Sequence, residues 1–310
     1  MIYSFLICRN YYNNSLYFYS KKSVLKYISI MKFGINLLLW DYFIDEKYYS
    51  IFSEIKKMGY HGVEIPLGIG DDKHYKELAH VISNEGLDCT CTINGNSEHN
   101  LLSGDKKIQS RGVDFIRNGL EMAQLLGSRI LGGPFYCSPS NFSGYKPSFD
   151  ELNRSAQITN QLAEYASLCD VRICAEFLNH FECYLLNTVK QTRDWVDLVD
   201  HPNVGIHYDT HHVHYEEKSI EEAIICGGDK IYHIHFSENH RGAIGQGLVD
   251  WKETVRCLKE IGYDDWIVFE AFSSKNSELR RALKIWRDLF KDELKLSSEG
   301  LKFMRKVWCV

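Results

Sequence analysis

Short apolar runs alternate with longer amphipathic stretches along most of the chain, beginning at Lys32. Each run is a few residues long and apolar at most positions, which is typical of strands buried on both faces. In the stretches between them, apolar residues recur at the spacing of a helix with one buried face. The runs predict eight strands, at residues 33–39, 62–65, 88–93, 129–133, 172–177, 204–208, 231–236 and 266–272. The clearest predicted helices are residues 48–58, 112–126, 148–169 and 252–261.

Local signals at the helix ends agree with this alternation. Gly59 and Gly262 each follow a predicted helix, where glycine is common because it tolerates a left-handed backbone. Ser148, with Glu151 three residues later, is typical of the capping box that starts a helix. These signals indicate regular strand–helix units.

The number and length of these units predict the fold. Eight units fill residues 32–290, which matches the roughly 250 residues of a (β/α)₈ barrel. An open doubly wound sheet would need a glycine-rich turn after the first strand, and residues 39–42 (LWDY) do not provide one. We therefore predict an α/β fold, a single (β/α)₈ TIM barrel over residues 31–310, with an additional C-terminal helix at 298–307.

The first 30 residues differ from the rest of the chain. They contain four basic residues, no acidic residue and six of the 19 tyrosines, and Met31 follows them directly. A targeting peptide is one interpretation of this composition, but the apolar stretch at residues 4–8 is too short for a signal-peptide core. We expect residues 1–30 to be a poorly structured extension that need not belong to the native protein.

Composition and charge exclude several classes of protein. The 310 residues carry a formal net charge of −5 without a basic block, which argues against a nucleic-acid partner. No apolar run has the length of about 18 residues that a membrane span needs. The ten cysteines include no CxxC pair, and the chain is too long for a disulfide scaffold. We interpret them as reduced thiols, several of them buried, and predict a cytoplasmic protein.

Candidate metal-binding and catalytic residues lie at the ends of four successive predicted strands. They are Glu176, Asp209, His235 and Glu270. In a barrel these ends meet at the face that carries the active site. A single such glutamate is often a helix cap or a salt-bridge partner, but four converging polar groups would repel one another without a cation. Three carboxylates and one imidazole suit Mn²⁺, Mg²⁺ or Co²⁺ better than structural zinc. His233 alternates with His235, so we expect it to face a helix as a core histidine.

The segments around these residues resemble a known family. They are residues 175–182 (AEFLNHFE), 209–212 (DTHH), 235–241 (HFSENHR) and 269–272 (FEAF). In order and internal spacing they are similar to the ketose 3-epimerases, such as D-tagatose and D-psicose 3-epimerase, in the xylose-isomerase-like barrel superfamily. The resemblance runs from about Met31 to Trp308. It implies one divalent ion, Mn²⁺ first with Co²⁺ or Mg²⁺ as alternatives, bound by the four residues named above.

The resemblance also implies a substrate and a mechanism. Glu182, His212 and Arg241 are expected to hold the O1–O3 end of a free ketose of the D-psicose/D-fructose or D-tagatose/D-sorbose type. Inversion at C3 needs a proton donor and acceptor on opposite faces, which we assign to Glu176 and Glu270 acting through a cis-enediolate. Trp40 is expected either to offer the sugar an apolar wall or to be a plain core aromatic. We further expect a homodimer or homotetramer and no nucleic-acid or membrane partner.

Some positions depart from the family pattern and leave alternatives open. Cys137 and Ser138 stand where the family commonly has Tyr or Ala followed by Trp, and His211 replaces a usual Phe. The preferred ketose therefore stays open. Alternatives within the superfamily are a hydroxypyruvate isomerase, an inosose dehydratase or an aldose–ketose isomerase. A zinc DNA-repair endonuclease would need more histidine ligands and a basic groove, and a non-catalytic sugar-binding protein would not need a metal cage.

Overall fold

Eight parallel strands close into a barrel in the computed structural model of the protein, which describes residues 7–9, 16–18, 26–28 and 31–309. The spatial order of the strands follows their order in the chain, and the last strand pairs with the first, with Ile267 beside Phe33. The strands, β1 to β8, are Lys32–Asn36, Gly62–Leu67, Asp88–Ile93, Ile130–Gly133, Arg172–Glu176, Val204–Asp209, Ile231–Ser237 and Trp266–Glu270. The predicted barrel is confirmed.

Helices surround the barrel and follow its strands. In chain order, α1 to α10 are Ser50–Met58, Asp72–Asn84, Lys106–Leu125, Phe149–Leu168, Val189–Val199, Thr210–Glu216, Ile220–Gly227, Trp251–Glu260, Ser277–Ala282 and Glu293–Cys309. The C-terminal helix α10 packs against α1 and α8, and its Gly300 allows the ring of Phe269 in β8 to approach closely. The predicted C-terminal helix is present and begins earlier than expected.

Two helix ends agree with the sequence signals, whereas the first strand ends earlier than predicted. Ser148 and Glu151 form a complete capping box at the start of α4, and Gly59 ends α1 with a left-handed backbone, φ 99°. The first strand was predicted to reach Leu39, but β1 ends at Asn36. The Asn36 side chain accepts a hydrogen bond from the Leu38 backbone N–H and starts a 3₁₀ turn over Leu37–Leu39. An asparagine cap therefore ends the strand inside an apolar run.

The first 30 residues contribute three short described strands. Ile7–Arg9, Leu16–Phe18 and Lys26–Ile28 pair antiparallel in chain order and form a sheet separate from the barrel. The remaining residues of this segment lie outside those described. The expectation of a poorly structured extension over residues 1–30 therefore stays a prediction.

Two further expectations concern the chain as a whole. Among the described helices, none combines the length and the apolar character needed to cross a bilayer. The nine cysteines between residues 31 and 309 are free thiols, and seven of them are buried.

Candidate active site

The carboxyl ends of the strands surround a cavity of about 350 Å³. Glu176 at the end of β5, His235 in β7 and Glu270 at the end of β8 line it, and Asp209 at the end of β6 is fully buried beside them. The structure thus brings the four predicted metal ligands together. Their side chains leave apolar strands at the face where TIM barrels place their chemistry.

Three of the four predicted ligands have polar atoms close enough together to hold a single ion. One oxygen each from Asp209 and Glu270 and one nitrogen of His235 lie within 4.8 Å of one another. A second group with the same spread joins Asp209 to Glu176 and His212. Asp209 belongs to both groups and so links Glu176 and His212 to the group that contains His235 and Glu270.

Glu64 in β2 fixes the orientation of His235. Its carboxylate is completely buried and contacts His235 Nε2 at 2.5 Å and His233 Nε2 at 2.6 Å. Asn36 Nδ2 and Thr90 Oγ1 donate to the same carboxylate, each at 3.0 Å. Burial by itself would raise the pKa of Glu64, but the charges of the two histidines outweigh it and hold that pKa well below its usual range. Glu64 is therefore a carboxylate, and both histidines direct an Nε2–H toward it.

The expected orientation of His233 was wrong. His233 and His235 both point into the barrel and meet at Glu64, so His233 does not face a helix. Side chains two positions apart on a strand share a face, and it is adjacent residues that alternate. The interior of the barrel therefore holds a buried polar cluster beneath the cavity, composed of Glu64, His207, His233 and His235.

The chemistry of His235 fits a cation. With Nε2–H directed at Glu64, the second nitrogen, Nδ1, faces the cavity 3.1 Å from Glu270 Oε1 and has no hydrogen-bond partner among the described residues. Without an ion, the charges of Glu64 and Glu270 outweigh burial and raise the pKa of His235 well above its usual range, so Nδ1 carries a proton there, which a bound metal ion would replace. Carboxylate oxygens and one imidazole nitrogen are ligands that suit Mn²⁺, Mg²⁺ or Co²⁺. The residues present thus fit the expected ion.

Electrostatics distinguishes Glu176 from Glu270. Burial raises the pKa of Glu176 well above its usual range, and the nearby negative charges of Glu270 and Asp209 add to this effect. Burial also acts on Glu270, but the positive charges of His235 and Arg241 outweigh it and lower the pKa. Without a bound ion, Glu176 is thus the protonated partner and Glu270 the charged one.

The tautomer of His212 follows from its backbone contact. The backbone N–H of Asn179 donates to His212 Nδ1 at 2.9 Å, so Nδ1 carries the lone pair. Burial, with a smaller effect of the Arg241 charge, lowers the pKa of His212 well below its usual range, so the ring is neutral. The single ring proton therefore lies on Nε2, which points into the cavity as a hydrogen-bond donor. The 3.1 Å contact between Nε2 and Arg241 Nη2 joins two donors and is not a hydrogen bond.

Glu182 and Arg241 complete the polar wall. Asn179 Nδ2 donates to Glu182 Oε1 at 3.0 Å, so one asparagine orients both Glu182 and His212. Arg241 donates through Nη1 to Asp209 at 2.9 Å and to Glu270 at 2.5 Å. Its backbone has a left-handed conformation, φ 62°, which is strained for arginine.

Trp40 lies apart from the residues that line the cavity. It caps the 3₁₀ turn after β1 and packs, partly buried, against the apolar core. Leu38 from the same turn lines the cavity instead, together with Phe272 after β8 and Leu283 after α9. The apolar part of the wall therefore comes from Leu38, Phe272 and Leu283.

Sequence reasoning missed Glu64, His207 and Asn179. Glu64 gave the signal that was used elsewhere, a charged residue in an apolar strand, but it lies within the strand and not at its end. Asn179 stands inside one of the segments that resemble the family and carries no separate signal. His207 is two positions before Asp209 and so shares its face of β6.

Comparison with known proteins places the chain in a family. The model of the xylose isomerase-like TIM barrel family matches residues 52–307. The chain belongs to this family. A D-psicose 3-epimerase of Ruminiclostridium cellulolyticum is 32% identical over 286 residues, which cover 89% of this chain and 98% of the relative.

Solved structures of ketose 3-epimerases are also similar to this chain. The crystal structure of a D-allulose 3-epimerase from Methylomonas sp. in complex with D-allulose is similar, with TM-score 0.84 and 26% identity over 90% of this chain and 97% of that one. A D-psicose 3-epimerase of Clostridium cellulolyticum H10, solved with D-tagatose, has TM-score 0.83 and 30% identity over 90% and 99%. The resemblance expected from the sequence is confirmed, and this family member is an enzyme of the isomerase class.

Proposed function

We propose that the protein is a divalent-metal-dependent ketose 3-epimerase that inverts C3 of a free ketohexose by proton transfer between two glutamates. The observation that carries this proposal is the pairing of Glu176 and Glu270. They line one cavity from β5 and β8, strands separated in the barrel by β6 and β7. Two carboxyl groups that reach one cavity from strands three positions apart can serve as proton acceptor and proton donor on the two faces of C3.

The ligand set of the ion follows from the site. Asp209, His235, Glu270 and Glu176 would hold it, with Glu64 fixing the His235 ring. A bound divalent ion would polarise the C2 carbonyl and so acidify the proton on C3.

The protein's own side chains then position the sugar and move the proton. His212 donates from Nε2, Arg241 donates from its guanidinium group, and Glu182 accepts a hydroxyl hydrogen. One of the two glutamates, Glu176 or Glu270, removes the C3 proton, and the other returns a proton to the opposite face. The roles exchange in the reverse reaction. Leu38 and Phe272 contact the carbons that do not react.

Curated relatives support the substrate class. Relatives that align over most of this chain are named D-psicose 3-epimerase, and the similar structures hold D-allulose or D-tagatose. Both sugars are free ketohexoses, and D-psicose is another name for D-allulose. We propose D-psicose/D-fructose or D-tagatose/D-sorbose as the substrate pair.

The test is a reaction in deuterated buffer. Chelated enzyme should be inactive on D-fructose, D-psicose and D-tagatose, and added Mn²⁺ or Co²⁺ should produce the C3 epimer with deuterium at C3. An aldose product would indicate a C1–C2 isomerase instead. Full turnover by protein verified to be metal-free, or epimerisation without exchange of the C3 hydrogen with solvent, would contradict the proposed mechanism.

A further inference from the structure

Two buried thiols contact each other beside the cavity. Cys137 lies in the loop after β4 and Cys183 in the loop after β5, and their Sγ atoms are 3.4 Å apart. They are 1% and 2% exposed, and neither has a place in the proposed chemistry. The other close thiol pair in the described chain, Cys89 and Cys91, is 4.0 Å apart within β3.

We propose that Cys137 and Cys183 are a modification site, at which a peroxide forms a reversible disulfide that disables the sugar end of the cavity. Their loops touch directly, because the backbone N–H of Ser140 donates to the carbonyl oxygen of Glu182 at 2.7 Å. Pro139, Ser140 and Glu182 line the cavity next to the two cysteines. Along the chain, the cavity lining is therefore two residues from Cys137 and one residue from Cys183. A small peroxide that enters the cavity reaches the neighbours of both cysteines.

The surroundings give the two thiols different roles. Cys183 Sγ accepts a hydrogen bond from the Leu185 backbone N–H at 3.3 Å; either thiol can donate in its contact with Cys137, and Cys137 is the donor once Cys183 loses its proton. The hydrogen bond from Cys137 is the main reason why the pKa of Cys183 falls to about 7, whereas burial raises that of Cys137 well above its usual range. Cys183 is therefore the thiolate that attacks, and Cys137 is the thiol that resolves the product.

The reaction balances in two steps. The Cys183 sulfur attacks one oxygen of hydrogen peroxide, the O–O bond breaks, and sulfenic acid and water form. The Cys137 sulfur then attacks the Cys183 sulfur, the S–O bond breaks, and a second water leaves. Together, two thiols lose two hydrogens and two electrons to one peroxide, and a thiol reductant reverses the change.

The disulfide changes the position of Glu182. An S–S bond is about 2.05 Å long, so the sulfurs must approach by about 1.4 Å from 3.4 Å. Gly95 packs against the carbonyl of Cys137 so closely that a Cβ at Gly95 would overlap it. Gly95 hinders movement of the Cys137 loop toward it, so we expect the part of the approach that side-chain rotation does not supply to come from the Cys183 loop, in which Glu182 is the adjacent residue. A displacement of about 1 Å can cost on the order of 10²-fold in rate.

The experiment treats the full-length metal-loaded enzyme with hydrogen peroxide, blocks free thiols and maps the peptides without reduction. We expect a Cys137–Cys183 cross-linked peptide, a KM for the ketose raised about tenfold or more, and recovery of both on adding a thiol reductant. Cys137→Ser and Cys183→Ser should lose the cross-link and the reversible response. Cys91→Ser, which breaks the other thiol pair, should respond as the wild type does.

Two results would overturn the proposal. One is inactivation by peroxide with both cysteines recovered as free thiols, and the other is a cross-link that leaves the KM unchanged. The wild-type peptide map keeps the test decisive if a serine variant fails to fold. The kinetic readout rests on the proposed function and the cross-link does not, so a failure of one is distinguishable from a failure of the other.

Discussion

His235 contacts Glu64 at 2.5 Å through Nε2, and this contact determines which nitrogen faces the cavity. The metal affinity of the site therefore depends on a carboxylate in β2 that is itself absent from the cavity lining. Partners of this kind fix both the tautomer and the ring angle of a ligating histidine.

Replacing Glu64 with glutamine should weaken metal binding. His233 and His235 contact different oxygens of Glu64, and glutamine replaces one of these oxygens with an NH2 group that cannot accept, so the paired contact that fixes the His235 ring is lost. The expected loss of Mn²⁺ affinity is about 10–100-fold, measured by metal titration of the chelated protein. Glu182→Gln is the matched control, since it changes the same group at the sugar end and should leave Mn²⁺ affinity near wild type. Equal Mn²⁺ affinities of the wild type and both variants would show that Glu64 does not orient His235 for metal binding.

Glu176→Gln and Glu270→Gln should each keep an oxygen for the ion but lose the proton shuttle. The loss of a positioned acid or base typically lowers the rate by about 10²–10⁴-fold, to be measured as kcat with metal content verified. Each variant should still bind metal, more weakly because a charge is missing. Glu182→Gln should instead raise KM as well as lower kcat, because it weakens sugar positioning.

Exchange of the C3 hydrogen gives a sharper test of the same pair. A variant with one remaining carboxylate should exchange the C3 proton on its own face with deuterated solvent without inverting the centre. Epimerisation at the wild-type rate by either glutamine variant would rule out the two-base mechanism.

Metal affinity should fall as the pH drops below about 6. Burial, only partly offset by the Arg241 charge, raises the pKa of Asp209 from its usual 3.8 to about 6. The ion needs the carboxylate form, so protons compete with it below that pH. The folding stability of the chelated protein depends on pH in the opposite direction to metal affinity. Because the pKa of Asp209 is raised in the folded protein, its contribution to the free energy of unfolding is lost as pH rises from 3.8 to about 6.

Mn²⁺ titrations between pH 5 and pH 8 measure this dependence. Asp209→Asn is the informative control, because it should bind Mn²⁺ weakly and lose the part of the pH dependence that Asp209 contributes. An affinity that stays constant from pH 5 to pH 7 would contradict the assignment of Asp209 as a ligand.

Deleting residues 1–30 should leave folding and turnover intact. The barrel closes through pairing of β8 with β1, which begins at Lys32, so no barrel strand is lost. The melting temperature and kcat of the truncated protein measure the outcome. Deleting residues 1–36 is the control that should fail to fold, since it removes β1. An insoluble or inactive 31–310 protein would make the extension a structural part of the molecule.

The sequence predicted the barrel and the cavity face because both depend on local patterns. Apolar runs marked the strands, and polar residues such as Glu176 and Glu270 marked their carboxyl ends. The error at His233 came from the geometry assigned to alternate residues on a strand, not from the sequence itself. The contact between Cys137 and Cys183 joins two loops 46 residues apart, and no local pattern carries such information.

His207 is a position at which a substitution could increase the folding stability of the enzyme. It is fully buried in the polar cluster beneath the cavity, and neither of its ring nitrogens has a hydrogen-bond partner among the described residues. Such a group typically costs about 1–3 kcal/mol, whereas an apolar side chain of similar shape avoids that cost. His207 Nδ1 also lies 3.8 Å from Glu176 Oε2, so we expect His207→Met to raise the melting temperature and, at the same time, to change the surroundings of Glu176.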